Sequence, residues 1–271
     1  MSRVECPRGF RERTGPGRSR VWVRDELALA VEGHDWLPLR GVPAAALDPR
    51  PLSGRGGAFR IGWPGMDGDF VYRRALRGGL VAKVNRDRFF FDRVPRPFAE
   101  VALSEELRAR GVDTPELVLA VVRRGRSGAY RGAVVSRWVE GGCDLADTLA
   151  ALARDGEPPD GPRVCAIWRA VGAAIGRLHA AGVLHADLNA RNLLLVKGPA
   201  AASAPRVFVL DLDRSRRVPS LSASERASNW ARLERSLAKF PDAARVTGSG
   251  ARAARDEAYH EALAAPSERA S

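Results

Sequence analysis

Apolar residues are spaced in two ways along this chain, and the spacing changes near its middle. The first twenty residues carry many Arg and Gly with no periodicity, which predicts a loose basic arm over 1–20. Pro and Gly punctuate residues 40–57, ending in Ser53-Gly54-Arg55-Gly56-Gly57. Phe70-Val71-Tyr72 and the stretch 80–84 predict short strands. A helix is expected to begin at Pro97, with Phe98, Val101, Glu105 and Leu107 near helical spacing before a stop at Gly111. The runs 117–122 (LVLAVV) and 133–139 (AVVSRWV) predict two strands around a turn of Arg, Gly and Ser.

Helical spacing then takes over. Asp144 is the expected N-cap of a helix reaching about Ala153, and 155–162 is a loop. Val164, Ile167, Trp168, Val171, Ile175 and Leu178 mark one apolar face of a long amphipathic helix closed by Gly182. The short apolar runs 193–196 and 207–210 predict strands joined by a Pro/Ala loop, and the chain beyond Pro219 reads as helical with a frayed end. Strands crowd the first half and helices the second, an α+β plan. The expected division is an arm at 1–20, a mainly β lobe at 21–138, a mainly α lobe at 139–240 and a helical tail at 241–271.

At 271 residues with 45% hydrophobic and 28% charged positions, the chain is long enough for a sizeable core and is neither disordered nor a disulfide miniprotein. Net charge is +12 with a pI near 10.9, and nearly all of the basic residues are arginine, the lysines being Lys83, Lys197 and Lys239. Arginine at this excess fits anionic partners such as nucleic acid, phosphorylated lipid or an acidic membrane face. It equally fits a genome rich in Arg and Ala codons, so charge alone selects no partner. Cys6, Cys143 and Cys165 are odd in number and lack CxxC spacing, which argues against a disulfide framework or a zinc knuckle and for reduced thiols. No run approaches the ~18 apolar residues of a bilayer span. The apolar stretch 27–31 is short and flanked by Glu26 and Glu32, unlike a signal-peptide core. A soluble or peripheral protein of a reducing compartment is expected.

The chemistry concentrates in His185-Ala186-Asp187-Leu188-Asn189-Ala190-Arg191-Asn192, followed by an apolar strand and Val209-Leu210-Asp211-Leu212-Asp213. Phosphoryl transfer from ATP needs a carboxylate that orients the acceptor hydroxyl and oxygen ligands that hold Mg²⁺ against the phosphates. Asp187 follows the long helix and its Gly turn, and a hairpin brings Asp211 beside Asn192. This set resembles the catalytic and metal-binding loops of the protein-kinase-like fold, H-x-D-x-x-x-x-N and then D-x-x in place of Asp-Phe-Gly. That template implies a bilobal molecule with its active site in the cleft. It also implies a phosphate-cradling glycine turn at Gly54, Gly56 and Gly57, and a cationic side chain from the next strand paired with a Glu of the following helix. Arg73 stands where Lys is usual, with Lys83 as rival; Glu100 is the expected partner and Glu105 the second choice. The hinge falls at 136–141, with backbone groups near Val139 reading the adenine.

Further strings narrow the resemblance. Gly54-Arg55-Gly56-Gly57, Arg77-Gly78-Gly79-Leu80-Val81-Ala82, Asn85-Arg86-Asp87-Arg88-Phe89, the two loops above and the helix Asn229–Lys239 together resemble the Kdo kinases of the lipopolysaccharide kinase family, over roughly 50–240. The resemblance implies ATP, a divalent metal such as Mg²⁺, and a lipid-linked acceptor bearing 3-deoxy-D-manno-octulosonic acid (Kdo). It also implies work at the cytoplasmic face of the inner membrane, against an anionic surface. By resemblance Asp187 is the catalytic base, Asn192 and Asp211 are metal ligands, and Arg73 with Glu100 positions the phosphates. Asn189 replaces the Lys of protein kinases, Asp213 replaces the flexible Gly, and Leu212 replaces Phe. Arg74-Ala75-Leu76 lacks the family's His/Tyr character, which puts the acceptor pocket in doubt. The Arg-rich insertion 77–96 carries Phe89-Phe90-Phe91, suited either to lipid headgroups with rings at the interface or to ordinary packing. A small-molecule kinase of the aminoglycoside-phosphotransferase type shares the central motif. A non-catalytic nucleotide- or nucleic-acid-binding protein ranks last. The acids at 187, 211 and 213 disfavour a polyanion groove, so no nucleic-acid partner is expected.

Overall fold

The computed structural model describes residues 4–52, 57–76, 89, 94–125, 129–198 and 204–265. The chain falls into two compact units, residues 1–105 with 115–138, and residues 106–114 with 139–271. The first is mainly β and the second mainly α, in keeping with the α+β expectation.

The first unit is built on an antiparallel sheet. Its strands are β1 (Phe10–Gly15), β2 (Ser19–Arg24), β3 (Leu47–Pro51), β4 (Ala58–Gly62), β5 (Asp69–Arg74), β6 (Leu117–Arg124) and β7 (Tyr130–Arg137), with helix α1 (Arg96–Ala109) between β5 and β6. Spatial order is β1-β2-β6-β7-β5-β4-β3. Alternation along the strands sorts side chains onto two faces. Val21 and Val23 join Ile61, Phe70 and Tyr72 on one face, under the coil that carries Trp36. Trp22, Ala120, Val122 and Val134 turn to the other, where Phe98 and Val101 of α1 cover them. Trp22 and Phe98 stack at 4.3 Å, and Trp36 meets Trp63 at 4.2 Å.

One expectation fails here, and one open choice is decided. The stretch assigned to a loose arm forms a hairpin, β1 pairing with β2 from Phe10↔Arg24 to Gly15↔Ser19. Four consecutive exposed positions in β1 leave no apolar alternation to read. The strand is held instead by its backbone ladder and by Glu12, which accepts from Arg20 at 2.8 Å and from Trp22 Nε1 at 3.0 Å. Of the two readings of the Phe89 segment, packing holds for Phe89 itself. It is buried, bridges Tyr130 through paired backbone bonds and stacks on that ring at 5.4 Å. The predicted strand at 80–84, Lys83, Phe90 and Phe91 lie outside the described residues.

The second unit comprises β8 (Cys143–Asp144), α2 (Leu145–Arg154), α3 (Pro162–Ala180), β9 (Val183–Leu184), β10 (Leu193–Val196), β11 (Arg206–Val209), β12 (Arg216–Arg217), α4 (Ala223–Leu237), α5 (Pro241–Val246) and α6 (Ser249–Ala264). Asp144 caps α2 as expected, its side chain accepting from Asp147 N at 2.9 Å. The apolar face of α3 is buried from Val164 to Leu178. Helix α6 packs along α3 at very close range, and the expected frayed end beyond residue 265 lies outside the described residues. A Cβ on Gly172 would overlap the Arg255 carbonyl, and one on Gly176 would lie 2.6 Å from the Tyr259 carbonyl oxygen. Glycine inside a helix costs about 1 kcal/mol relative to Ala. At these two positions it permits the backbones to touch. Among the described residues no helix is long and apolar enough to cross a membrane.

Candidate active site

The loop from His185 to Asn192 leaves β9 and enters β10 through a 3-10 turn, Ala190–Asn192. Asn189 caps that turn, its Oδ1 accepting from Arg191 N at 2.9 Å and Asn192 N at 3.2 Å. The same side chain donates from Nδ2 to the Asp187 carbonyl and to Asp187 Oδ2, both at 3.1 Å. Asn192 Nδ2 donates to the Asp187 carbonyl at 2.9 Å, which turns its amide oxygen the other way. Asp187 is exposed, with its carboxylate held from one side by Asn189.

The β10–β11 hairpin returns the chain to this loop. Leu193 pairs with Val209, and Leu210 N donates to the Asn192 carbonyl at 2.9 Å, so Asp211 emerges next to Asn192. Asp211 adopts φ +56°, a left-handed conformation uncommon for residues with a side chain and frequent where function fixes the backbone. Leu212 is buried, which lets it replace a Phe as an apolar anchor. Oδ1 of both Asp211 and Asp213 is closed to solvent.

His185 ties the two loops together from inside. Its Nδ1 accepts from Asp187 N at 3.1 Å and its Nε2 donates to the Leu210 carbonyl at 2.9 Å. That pattern requires the neutral Nε2–H tautomer. Burial agrees, holding its pKa below the ordinary histidine value against the Leu210 bond that raises it.

Behind His185 lies a second buried layer. Asn229 of α4 donates from Nδ2 to the His185 carbonyl at 2.7 Å and accepts from His185 N at 3.2 Å. Those two bonds fix the amide orientation. The Asn229 oxygen therefore also accepts from His179 Nε2 at 3.1 Å, and His179 Nδ1 accepts from the Tyr259 hydroxyl at 2.9 Å. Burial is the largest influence on His179 and lowers its pKa to about 4. The series of bonds from Tyr259 of α6 through His179 and Asn229 to His185 thus runs through neutral groups.

In the first unit, Arg73 and Glu100 form an ion pair between β5 and α1, with Glu100 buried. Glu105, the second choice, pairs with Arg24 at 2.6 Å instead. Gly57 has φ +85° and precedes Ala58, which registers opposite Arg73, so the described end of the glycine turn lies beside the cation. Gly54 and Gly56 lie outside the described residues. Val139 opens the second stretch of the second unit, its carbonyl accepting from Gly142 N at 3.3 Å.

The model of the lipopolysaccharide kinase (Kdo/WaaP) family matches residues 54–252, a span that holds both loops and the Arg73–Glu100 pair. The chain belongs to this family. Similar curated proteins include the 3-deoxy-D-manno-octulosonic acid kinase of Xanthomonas euvesicatoria pv. vesicatoria (strain 85-10), 38% identical over 195 residues, which are 71% of this chain and 70% of that one. The enzyme of the same name from Xylella fastidiosa (strain M12) is 35% identical over 196 residues, with 71% and 70% covered. A solved structure described as WaaP in complex with acyl carrier protein superposes with a TM-score of 0.56 at 19% identity over 79% of each chain, which supports the fold.

This member of the lipopolysaccharide kinase family is a kinase, and its donor set suits a hard cation. An amide oxygen at Asn192 and a carboxylate at Asp211 match a Mg²⁺ ion, which takes one or two protein carboxylates and completes its shell with phosphates and water. Among the described residues no three His, Cys, Asp or Glu side chains gather as an all-protein metal cage. Sequence reading missed the supporting residues His179 and Tyr259, and missed Asn229 except as part of a familiar helix. Their bonds join positions 44 to 80 residues apart, and no local pattern reports such pairs.

Proposed function

We propose that this chain transfers the γ-phosphate of ATP to a hydroxyl of Kdo on a lipid A precursor, at the cytoplasmic face of the inner membrane. The observation that carries the reading is the Asp187 loop, in which Asn189 and Asn192 hold the aspartate and its backbone while its carboxylate stays exposed. Family membership supports the acceptor class, since similar proteins carry the Kdo kinase name.

In this reading Asp187 accepts the proton of the acceptor hydroxyl as its oxygen attacks the γ-phosphorus, and the bond to the β-phosphate oxygen breaks to release ADP. Asn192 and Asp211 would hold Mg²⁺, which when bound would neutralise charge on the phosphates. Arg73, steadied by Glu100, donates to the phosphates; Arg serves here because its guanidinium is permanently charged and bidentate. The glycine turn ending at Gly57 brings backbone N–H groups to the phosphates, and backbone near Val139 reads the adenine. A lipid-linked acceptor and a net charge of +12 together favour peripheral binding to an anionic membrane.

The test is transfer of label from γ-labelled ATP with Mg²⁺, comparing wild type with Asp187→Ala. Acceptors are Kdo-bearing lipid A precursor, the same precursor without Kdo, and a generic protein. Label on the Kdo-bearing lipid alone, with wild type alone, is the expected result. Equal labelling by Asp187→Ala overturns the assignment of the base. Labelling of the precursor without Kdo as strongly as of the Kdo-bearing one, or of neither, overturns the acceptor.

A further inference from the structure

A hollow of about 450 Å³ opens beside Asp187 within the second unit, walled by Arg191, Arg232, Arg235, Lys239 and Phe240. Four cations therefore surround one carboxylate, and they are not equivalent. Arg232 Nη1 donates to the Ala186 carbonyl at 2.9 Å and so braces the catalytic loop. Arg191 bonds Asp144 at 2.9 Å and lies 5.2 Å from the centre of the Phe240 ring. Arg235 and Lys239 are exposed, and among the described residues neither side chain makes a hydrogen bond or an ion pair.

Two of these cations share one stripe of helix and a third follows its end. Arg232 and Arg235 sit at i and i+3 on α4, Lys239 lies in the turn two residues past it, and like charges gathered this way repel one another. Among the described residues, some exposed arginines of this unit meet acids, as Arg206 does Asp113 at 2.6 Å and Arg216 does Glu225 at 2.5 Å, and others, such as Arg214 and Arg252, do not; what sets Arg235 and Lys239 apart is their place beside Asp187. On this stripe the neighbouring Glu234 turns away to Arg255. The helix is also anchored to the loop it faces, because Ser236 Oγ accepts from Ala190 N at 3.1 Å. Two uncommitted cations are thus held at a fixed place beside the exposed Asp187 carboxylate. An arrangement that repels itself and stays next to the proposed base fits a bound oxyanion. Ordinary solvated surface charge needs neither feature.

We infer that this hollow is the acceptor's oxyanion subsite: Arg235 and Lys239 take the carboxylate of the ulosonic acid while one of its hydroxyls faces Asp187. The inference rests on the acceptor reading above. Phosphate groups on the same lipid share the chemistry, and the test separates the two sources.

Wild type and R235Q/K239Q are assayed with ATP and Mg²⁺ on Kdo-bearing precursor and on the same precursor with the Kdo carboxyl reduced to an alcohol. Loss of two charge-assisted contacts at an exposed site raises KM for the acidic acceptor on the order of 30-fold. On the reduced acceptor the two proteins then differ by less than about 3-fold, because there is no charge left to lose. The charge-keeping R235K/K239R stays within about 5-fold of wild type on the acidic acceptor. An equal penalty on both acceptors overturns the carboxylate assignment and points to the lipid phosphates. Should wild type label no Kdo-bearing lipid, the acceptor reading has failed. The subsite is then decided by calorimetric titration with free Kdo and with inorganic phosphate. Binding to either at least about tenfold weaker in R235Q/K239Q sustains an oxyanion subsite, and equal binding overturns it.

Discussion

Replacing Asn229 with Leu tests the buried layer that supports the Asp187 loop. The two side chains are similar in volume, so the exchange removes hydrogen bonds and opens little space. Three groups lose their partner: the His185 N–H, the His185 carbonyl and His179 Nε2–H. All lie in residues closed to water, His185 fully and His179 at 3% exposure, so solvent does not replace what is lost. An orphaned buried polar group costs about 1–3 kcal/mol, and the apolar gain from Leu offsets roughly one of the three, leaving a net loss of about 4 kcal/mol. For a unit of this size each kcal/mol shifts the midpoint by about 2–4 °C, so calorimetry at neutral pH should show the second unit melting roughly 8–16 °C lower. The surviving folded fraction, assayed well below its midpoint, should lose kcat more than acceptor affinity, since His185 N and O lie two residues from Asp187. Asn229→Asp keeps the acceptor oxygen and loses the donor, and should fall between the two. A melting point within about 1 °C of wild type for Asn229→Leu would show that these bonds contribute nothing and refute the argument.

Two other expectations follow from the same unit. Gly172→Ala places a methyl against the Arg255 backbone, which cannot rotate away as a side chain does; α3 and α6 must part, with an expected cost of about 2–3 kcal/mol in urea unfolding, while an unchanged midpoint would mean the crossing is looser than described. His179, with a folded pKa of about 4 against 6.5 unfolded, leaves the unfolded chain binding more protons between those values; its contribution is intact above pH 6.5 and falls away by about 3 kcal/mol as the pH drops to 4. The measurement is the pH dependence of unfolding free energy in wild type against His179→Gln, and parallel curves across that window would count against it.

Local features were readable in the sequence. The face of α3, the Asp144 cap and the hairpin that joins Asn192 to Asp211 are set by residues near one another in the chain, and their spacing reports them. Arg73 with Glu100 was reachable because a strand followed by a helix offers few partners to a cation. What escaped depends on distant or irregular contacts. The β1–β2 hairpin has exposed polar residues on both sides of its edge strand, so it reads as coil until its neighbour is known. Trp36 enters the core from a segment with no regular structure. The place of Phe89 stayed open between a lipid interface and ordinary packing because the stretch mixes rings with charges, and only the cross-strand Tyr130 decides for burial. The cationic cluster at the end of α4 was hidden for a different reason. In a chain this rich in arginine, no composition signal separates Arg235 from the arginines already paired with acids.

The bond between Tyr259 and His179 also sets an order in time. Protein synthesis delivers residues 185–192 well before α6, and units fold as they emerge. Until α6 has been made and laid against Gly172 and Gly176, His179 has no hydroxyl to accept from. The polar layer behind Asp187 then remains open to water. On the proposed reading phosphoryl transfer is in this way deferred until α6 is in place, and a nascent chain stalled before it carries Asp187 and Asn192 on a loop that is not yet latched.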